Sequence, residues 1–147
     1  MAVSVGAGVA DIFSSLGVQH VVTGGQTMNP STAELLAAVD ALPADNVVLL
    51  PNNKNIIPVA EQVDEQTSKS VAVVPTRSIV GGMTALVSYD PEAELAANVE
   101  GMEDALEHLL QGEVTHAVRD TAADGFEIKD GDWLGLCLLY TSDAADE

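Results

Sequence analysis

Three short polar clusters hold the side chains best suited to recognition chemistry. Gln26, Thr27, Asn29 and Ser31 lie in Gly24–Thr32; Asn52, Asn53, Lys54 and Asn55 follow Pro51; Thr76, Arg77 and Ser78 follow Pro75. These are amides, hydroxyls and two cations, so the chemistry they offer is hydrogen bonding to an anion or carbonyl. Ser31-x-x-Glu34 fits a capping box, which places the first cluster at a helix N-terminus, where unpaired N–H groups favour anionic ligands. Each residue also has a plainer reading, as part of a good turn or cap. Two features favour recognition: the pattern occurs three times, and Lys54 and Arg77 are two of only five basic residues in an acidic chain.

Each cluster follows an apolar run of strand length and precedes an apolar-periodic helix. Val3–Val5 opens as a strand, with a helix through Val9, Ile12, Phe13 and Leu16 that ends at Gly17. Gln19–Thr23 is the second strand, and Ser31–Leu42 the helix after the first cluster. Val47–Leu50 and Val71–Val74 are continuous apolar runs, as expected of strands buried on both faces of a parallel sheet. Helices through Ile56–Val63 and Met83–Val87 follow them, and Pro91–Gln111 reads as one long helix with an apolar stripe, stopped by Gly112. Such alternation predicts right-handed crossovers and a parallel sheet, which gathers the polar loops along one rim. Near 113–136 the period changes to two, with Asp124-Gly125 and Asp130-Gly131 as turn signals, giving a small β-rich appendage. Within it Arg119-Asp120 reads as a local ion pair.

Composition excludes several classes of function. At 147 residues and 47% hydrophobic content the chain holds a real core, and a formal charge of −18 repels nucleic acid and anionic membranes. No apolar run reaches the roughly 18 residues of a membrane span. A single cysteine, Cys137, leaves no disulfide framework or Cys-rich zinc site and fits a cytoplasmic setting. His20, His108 and His116 lack metal-ligand spacing. Gly6-x-Gly8 lacks the third glycine of a dinucleotide fingerprint and has Asp11 in its place. No phosphate loop or nucleophile elbow is present, so no residue is assigned a catalytic or metal-binding role.

The runs VSVGAG, GGQTMNPST, LLPNNKNI, VVPTRSI and VTHAVRDT resemble, in order and spacing, the C-terminal region of the A subunit of bacterial fatty acid kinase, a dihydroxyacetone-kinase-like family. The resemblance covers about Ala2 to Leu136. It implies a DegV-like fold: three-layer αβα with a mainly parallel sheet, plus the β-rich appendage. It also implies a non-catalytic docking domain that engages a separate DegV-type fatty-acid-binding protein. ATP and magnesium belong to a nucleotide-binding domain absent from this chain, which phosphorylates the partner-held fatty acid to an acyl phosphate. On this reading the matched residues Gln26, Thr27, Asn29, Asn52, Asn53, Lys54, Thr76 and Arg77 form a partner-facing or structural rim. The alternative is a stand-alone small-molecule or anion-binding domain using the same rim.

After Leu136 the family-like sequence is expected to continue into a further α/β half, as part of the remainder of its own polypeptide. Cys137–Glu147 instead reads as the translation of a transposase adapter used in sequencing libraries, and is set apart as a non-native tail. Without its Asp143, Asp146 and Glu147 the chain holds 20 acidic and 5 basic residues, a charge of −15.

Overall fold

The computed structural model describes residues 1–24, 29–123 and 125–139. The chain is mixed α/β and divides into two compact units, Met1–Glu107 and a second from His108 onward.

In the first unit, strands and helices alternate: β1 (Ala2–Ser4), α1 (Ala7–Ser15), β2 (Val21–Thr23), α2 (Thr32–Asp40), β3 (Asn46–Leu49), α3 (Ile57–Glu61), a 3-10 turn (Asp64–Gln66), β4 (Ser70–Val73), α4 (Ile79–Val87) and α5 (Leu95–Glu107). β1 pairs in parallel with β2, and β3 with β4. The two ladders join at a parallel bridge between Ala2 and Leu50, where Val3 N donates to Leu50 O at 2.9 Å and Leu50 N to Met1 O at 3.0 Å. The strands therefore lie side by side in the order β2-β1-β3-β4, and their parallel direction is what alternation of strand and helix predicts. Val47 and Leu49 of β3 are buried with Val3, Leu35 and Val39 of α2, and Ile56, Ala60 and Val63 around α3.

Local chemistry fixes the helix ends. Gly17 stops α1 with φ 92°: Val18 N donates to Phe13 O at 3.0 Å and Gly17 N to Ser14 O at 3.1 Å, a Schellman closure that needs the left-handed region. The predicted capping box is present, with Glu34 N donating to Ser31 Oγ at 3.2 Å and Ser31 N to Glu34 Oε2 at 2.8 Å. At the other end of α2, Lys69 Nζ donates to the carbonyls of Val39 (2.9 Å), Asp40 (3.2 Å) and Leu42, a cation on a helix C-terminus. On β4, Val71 N donates to Asp64 Oδ1 at 3.0 Å.

The single helix expected over Pro91–Gln111 is shorter. Asn98 Oδ1 accepts from Asp90 N at 2.8 Å, and its Nδ2 donates to Asp90 O at 2.7 Å and Ala93 O at 3.2 Å, pinning 90–93 as a turn ahead of α5. Past Glu107 the backbone joins a strand ladder, so Gly112 lies inside a strand rather than ending a helix.

The second unit is antiparallel: β5 (Leu110–His116) pairs with β8 (Trp133–Leu139), and β6 (Thr121–Ala123) with β7 (Phe126–Ile128). This matches the β-rich appendage and starts it slightly earlier. Asp120 does not pair with Arg119. Its Oδ2 lies 3.7 Å from Lys129 Nζ and its Oδ1 accepts from Asp130 N at 2.8 Å. Arg119 lies in a bend ahead of β6, whereas Asp120 and Lys129 are the cross-strand positions next to the Thr121–Ile128 pair of the β6–β7 hairpin.

Candidate functional site

In the order β2-β1-β3-β4 the chain reverses its winding direction between β1 and β3, and open parallel sheets bind ligands beyond the strand ends at such a point. Asn52 sits there. Its backbone is left-handed (φ 57°), the only non-glycine among the described residues with positive φ. Asparagine tolerates that region better than most side chains. The twist turns its backbone N–H away from β1 to donate to Thr76 Oγ1 at 3.0 Å, while its side-chain Nδ2 donates to Val3 O at 2.9 Å. The side chain thus supplies the donor that the next rung of the β1–β3 ladder would have taken from backbone. One residue ties together the ends of β1, β3 and β4.

The expected rim residues fall into two groups. Asn52 and Thr76 are buried, at 7% and 0% exposure, and bond to one another. Asn29, Lys54, Asn55 and Arg77 are exposed, and Asn53 and Ser78 half-buried. Asn53 Oδ1 accepts from Asn55 N at 2.9 Å, and Ser78 Oγ caps α4 by accepting from Gly81 N at 2.9 Å. Ser31 is exposed and caps α2. Gln26 and Thr27 lie outside the described residues. The loop that carries them is pinched at its base by Gly24, whose added Cβ would lie 2.4 Å from Pro30 Cδ and whose N donates to Ser4 O at 2.9 Å.

Two residues at this rim escaped the sequence reading. Ser4 is buried, and its Oγ and Asn52 Oδ1 have no hydrogen-bond partner among the described residues. Gly82 of α4 packs directly on the Asn52 side chain. The Gly81-Gly82 pair within an otherwise apolar helix was the available signal, since such a pair marks close approach. Ser4, inside a short apolar strand, carried no signal.

Electrostatically the rim is plain. Hydrogen bonds from Ser31 N and Oγ hold the Glu34 carboxyl below the usual carboxylate range. At the opposite end of the strands, burial lowers the Met1 α-amino group to about 6, and it donates to Val48 O at 2.7 Å. Beside it lies a cavity of about 710 Å3, lined by Leu16, Val48, Leu50, Leu86 and Met102 among others. Among the described residues no group of three or more His, Cys, Asp or Glu side chains could hold a metal ion, and no helix is long and apolar enough to cross a membrane. Among the described residues the rim offers donors, acceptors and positive charge and no nucleophile–base pair.

Comparison with known proteins gives this arrangement a family. A family model described as FakA-like, for the C-terminal part of the fatty acid kinase A subunit, matches residues 1–145. Protein YloV of Bacillus subtilis (strain 168) is 44% identical over 134 residues, covering 91% of this chain and 24% of YloV. An uncharacterised protein of Staphylococcus epidermidis (strain ATCC 12228) is 43% identical over 143 residues, 96% of this chain and 26% of that protein. An uncharacterised protein of Staphylococcus aureus (strain USA300) is 41% identical over 134 residues, 91% and 24% respectively. The chain spans about a quarter of the length of these curated relatives. It belongs to the FakA-like C-terminal family of fatty acid kinase subunits.

Proposed function

We propose that this chain is the docking domain of a fatty acid kinase subunit, with a DegV-like three-layer arrangement, that engages a DegV-type fatty-acid-binding protein in the cytoplasm. The exposed rim residues Asn29, Lys54 and Arg77 and the half-buried Asn53 face the partner, while Asn52 and Thr76 hold the loops that present them. ATP and magnesium act on another domain of the longer polypeptide, and this chain brings the fatty acid carboxylate to it. No catalytic residue is assigned here.

The observation that carries the reading is the coincidence of family and geometry. A chain of the kinase-subunit family, with 23 acidic residues, places Lys54 and Arg77 on exposed loops at the carboxyl ends of parallel strands. Calorimetry with a purified DegV-type protein loaded with a long-chain fatty acid tests it. Binding that falls at least tenfold in Lys54→Glu and Arg77→Glu, but not in Glu61→Lys, is expected. Absence of binding by the parent chain overturns the docking reading, and binding unaffected by all three changes overturns the rim.

The cavity of about 710 Å3, lined by Asp45, Asn46 and Asn98 as well as Leu50, Leu86 and Met102, favours a second reading, in which the chain itself binds a small amphipathic molecule. Saturable uptake of a free fatty acid by the isolated chain, weakened by Leu86→Glu, would support that reading over docking.

A further inference from the structure

We propose that Asn52 is a two-position switch at the ends of β1 and β3, whose second position pairs its side chain with Ser4; the switch stands independently of the docking reading. Ala2 and Leu50 are bridge partners in a parallel register, with Leu50 N donating to Met1 O and Val3 N to Leu50 O. Two residues further along each strand, Ser4 stands opposite Asn52 on the same face of the sheet. The rung due at that level runs from Asn52 N to Val3 O. It is replaced, because the left-handed backbone of Asn52 (φ 57°) sends that N–H to Thr76 Oγ1, and the side-chain Nδ2 takes Val3 O instead.

The replacement leaves two atoms unmatched. Ser4 Oγ and Asn52 Oδ1 are buried without a hydrogen-bond partner, and they belong to the two residues that the register sets side by side. A hydroxyl donor and an amide acceptor at cross-strand positions complete one another. In the second position Asn52 takes an extended backbone, its N–H forms the rung to Val3 O, and Ser4 Oγ donates to Asn52 Oδ1. Each position thus holds two hydrogen bonds: Asn52 N to Thr76 and Nδ2 to Val3 O in the first, Asn52 N to Val3 O and Ser4 Oγ to Oδ1 in the second. The first keeps Thr76 engaged, and the second relieves the left-handed backbone. The two therefore lie close in energy, with the second a minor state at roughly 1%. Thr76 adjoins Arg77 in the loop between β4 and α4, so the exchange unties that loop from the end of β3. Ser4, Asn52 and Thr76 are all buried within the first unit, and the switch is internal to it.

Relaxation-dispersion NMR on the isotope-labelled chain tests this, because left-handed and extended asparagine differ in their Cα and Cβ shifts. The expected result is microsecond-to-millisecond exchange at Val3, Ser4, Asn52 and Thr76, with an extended minor state at Asn52. Thr76→Val removes the acceptor of the first position and should raise the extended population at least about fivefold. Adding Ser4→Ala removes the donor of the second and should reverse that rise. Left-handed shifts at Asn52 without exchange in Thr76→Val overturn the proposal, and so does an extended population that Ser4→Ala leaves unchanged. If Thr76→Val unfolds, Gly82→Ala with the same readouts replaces it, since the added Cβ displaces Asn52 Oδ1 from its first position.

Discussion

The Asn52 side-chain oxygen occupies the space that a β-carbon on Gly82 would need: an added Cβ would lie 2.1 Å from Oδ1. Gly82→Ala must therefore displace the amide that bonds Val3 and reorient the residue that bonds Thr76. The expected loss is about 2–4 kcal/mol of unfolding free energy, from overpacking together with broken buried hydrogen bonds. Chemical denaturation measures it. Gly8→Ala is the contrast: nothing lies within 4 Å of its added Cβ, and α1 should gain up to about 1 kcal/mol from better helix propensity.

At Asn52 itself, substitution separates backbone strain from hydrogen bonding. Asn52→Gly suits φ 57° but removes the donor to Val3 O, whereas Asn52→Ala removes the donor and strains the backbone. Alanine should cost about 1 kcal/mol more than glycine. Thr76→Val leaves the Asn52 N–H buried and unpaired, at a cost of about 1–3 kcal/mol. The Asn52/Thr76 double mutant should fall short of additivity, because the two share one network; strict additivity in a double-mutant cycle would refute that network.

The capping box should show a pH signature. With its folded-state pKa depressed by Ser31, Glu34 contributes stability above its unfolded pKa, and that contribution is lost as pH falls through the lower folded value. Ser31→Ala should cost about 1 kcal/mol at neutral pH, as N-cap losses do. The gap between wild type and variant should narrow in acid, as thermal melts from pH 7 to pH 2 will show.

How legible this was from sequence depends on the range of the interactions. Apolar periodicity and local caps marked α1, α2 and the four parallel strands, because Gly17, Ser31 and Glu34 act within a few residues of themselves. Ser78 caps α4 in the same local way, but the sequence reading took it only as a member of the third polar cluster. The turn before α5 was not legible, since it depends on Asn98 reaching back eight residues to Asp90. The early end of α5 was hidden because strand pairing between Leu110 and Leu139 overrides local helix propensity. At the rim, sequence brought the right loops together but could not divide them into the buried clamp, Asn52 with Thr76, and the exposed Asn29, Lys54 and Arg77. That division rests on a left-handed backbone and on Gly82, 30 residues away from Asn52 along the chain.

Lys69 gives the chain a built-in reporter of opening. Its ammonium is engaged by three carbonyls at the end of α2, whereas Lys54 and Lys129 are exposed. Acylating reagents attack the free amine, so in the native molecule they should consume Lys54 and Lys129 promptly and reach Lys69 only when the α2–β4 junction lets go. The rate of Lys69 modification, read by mass spectrometry at increasing reagent concentration, then becomes a clock for that local event.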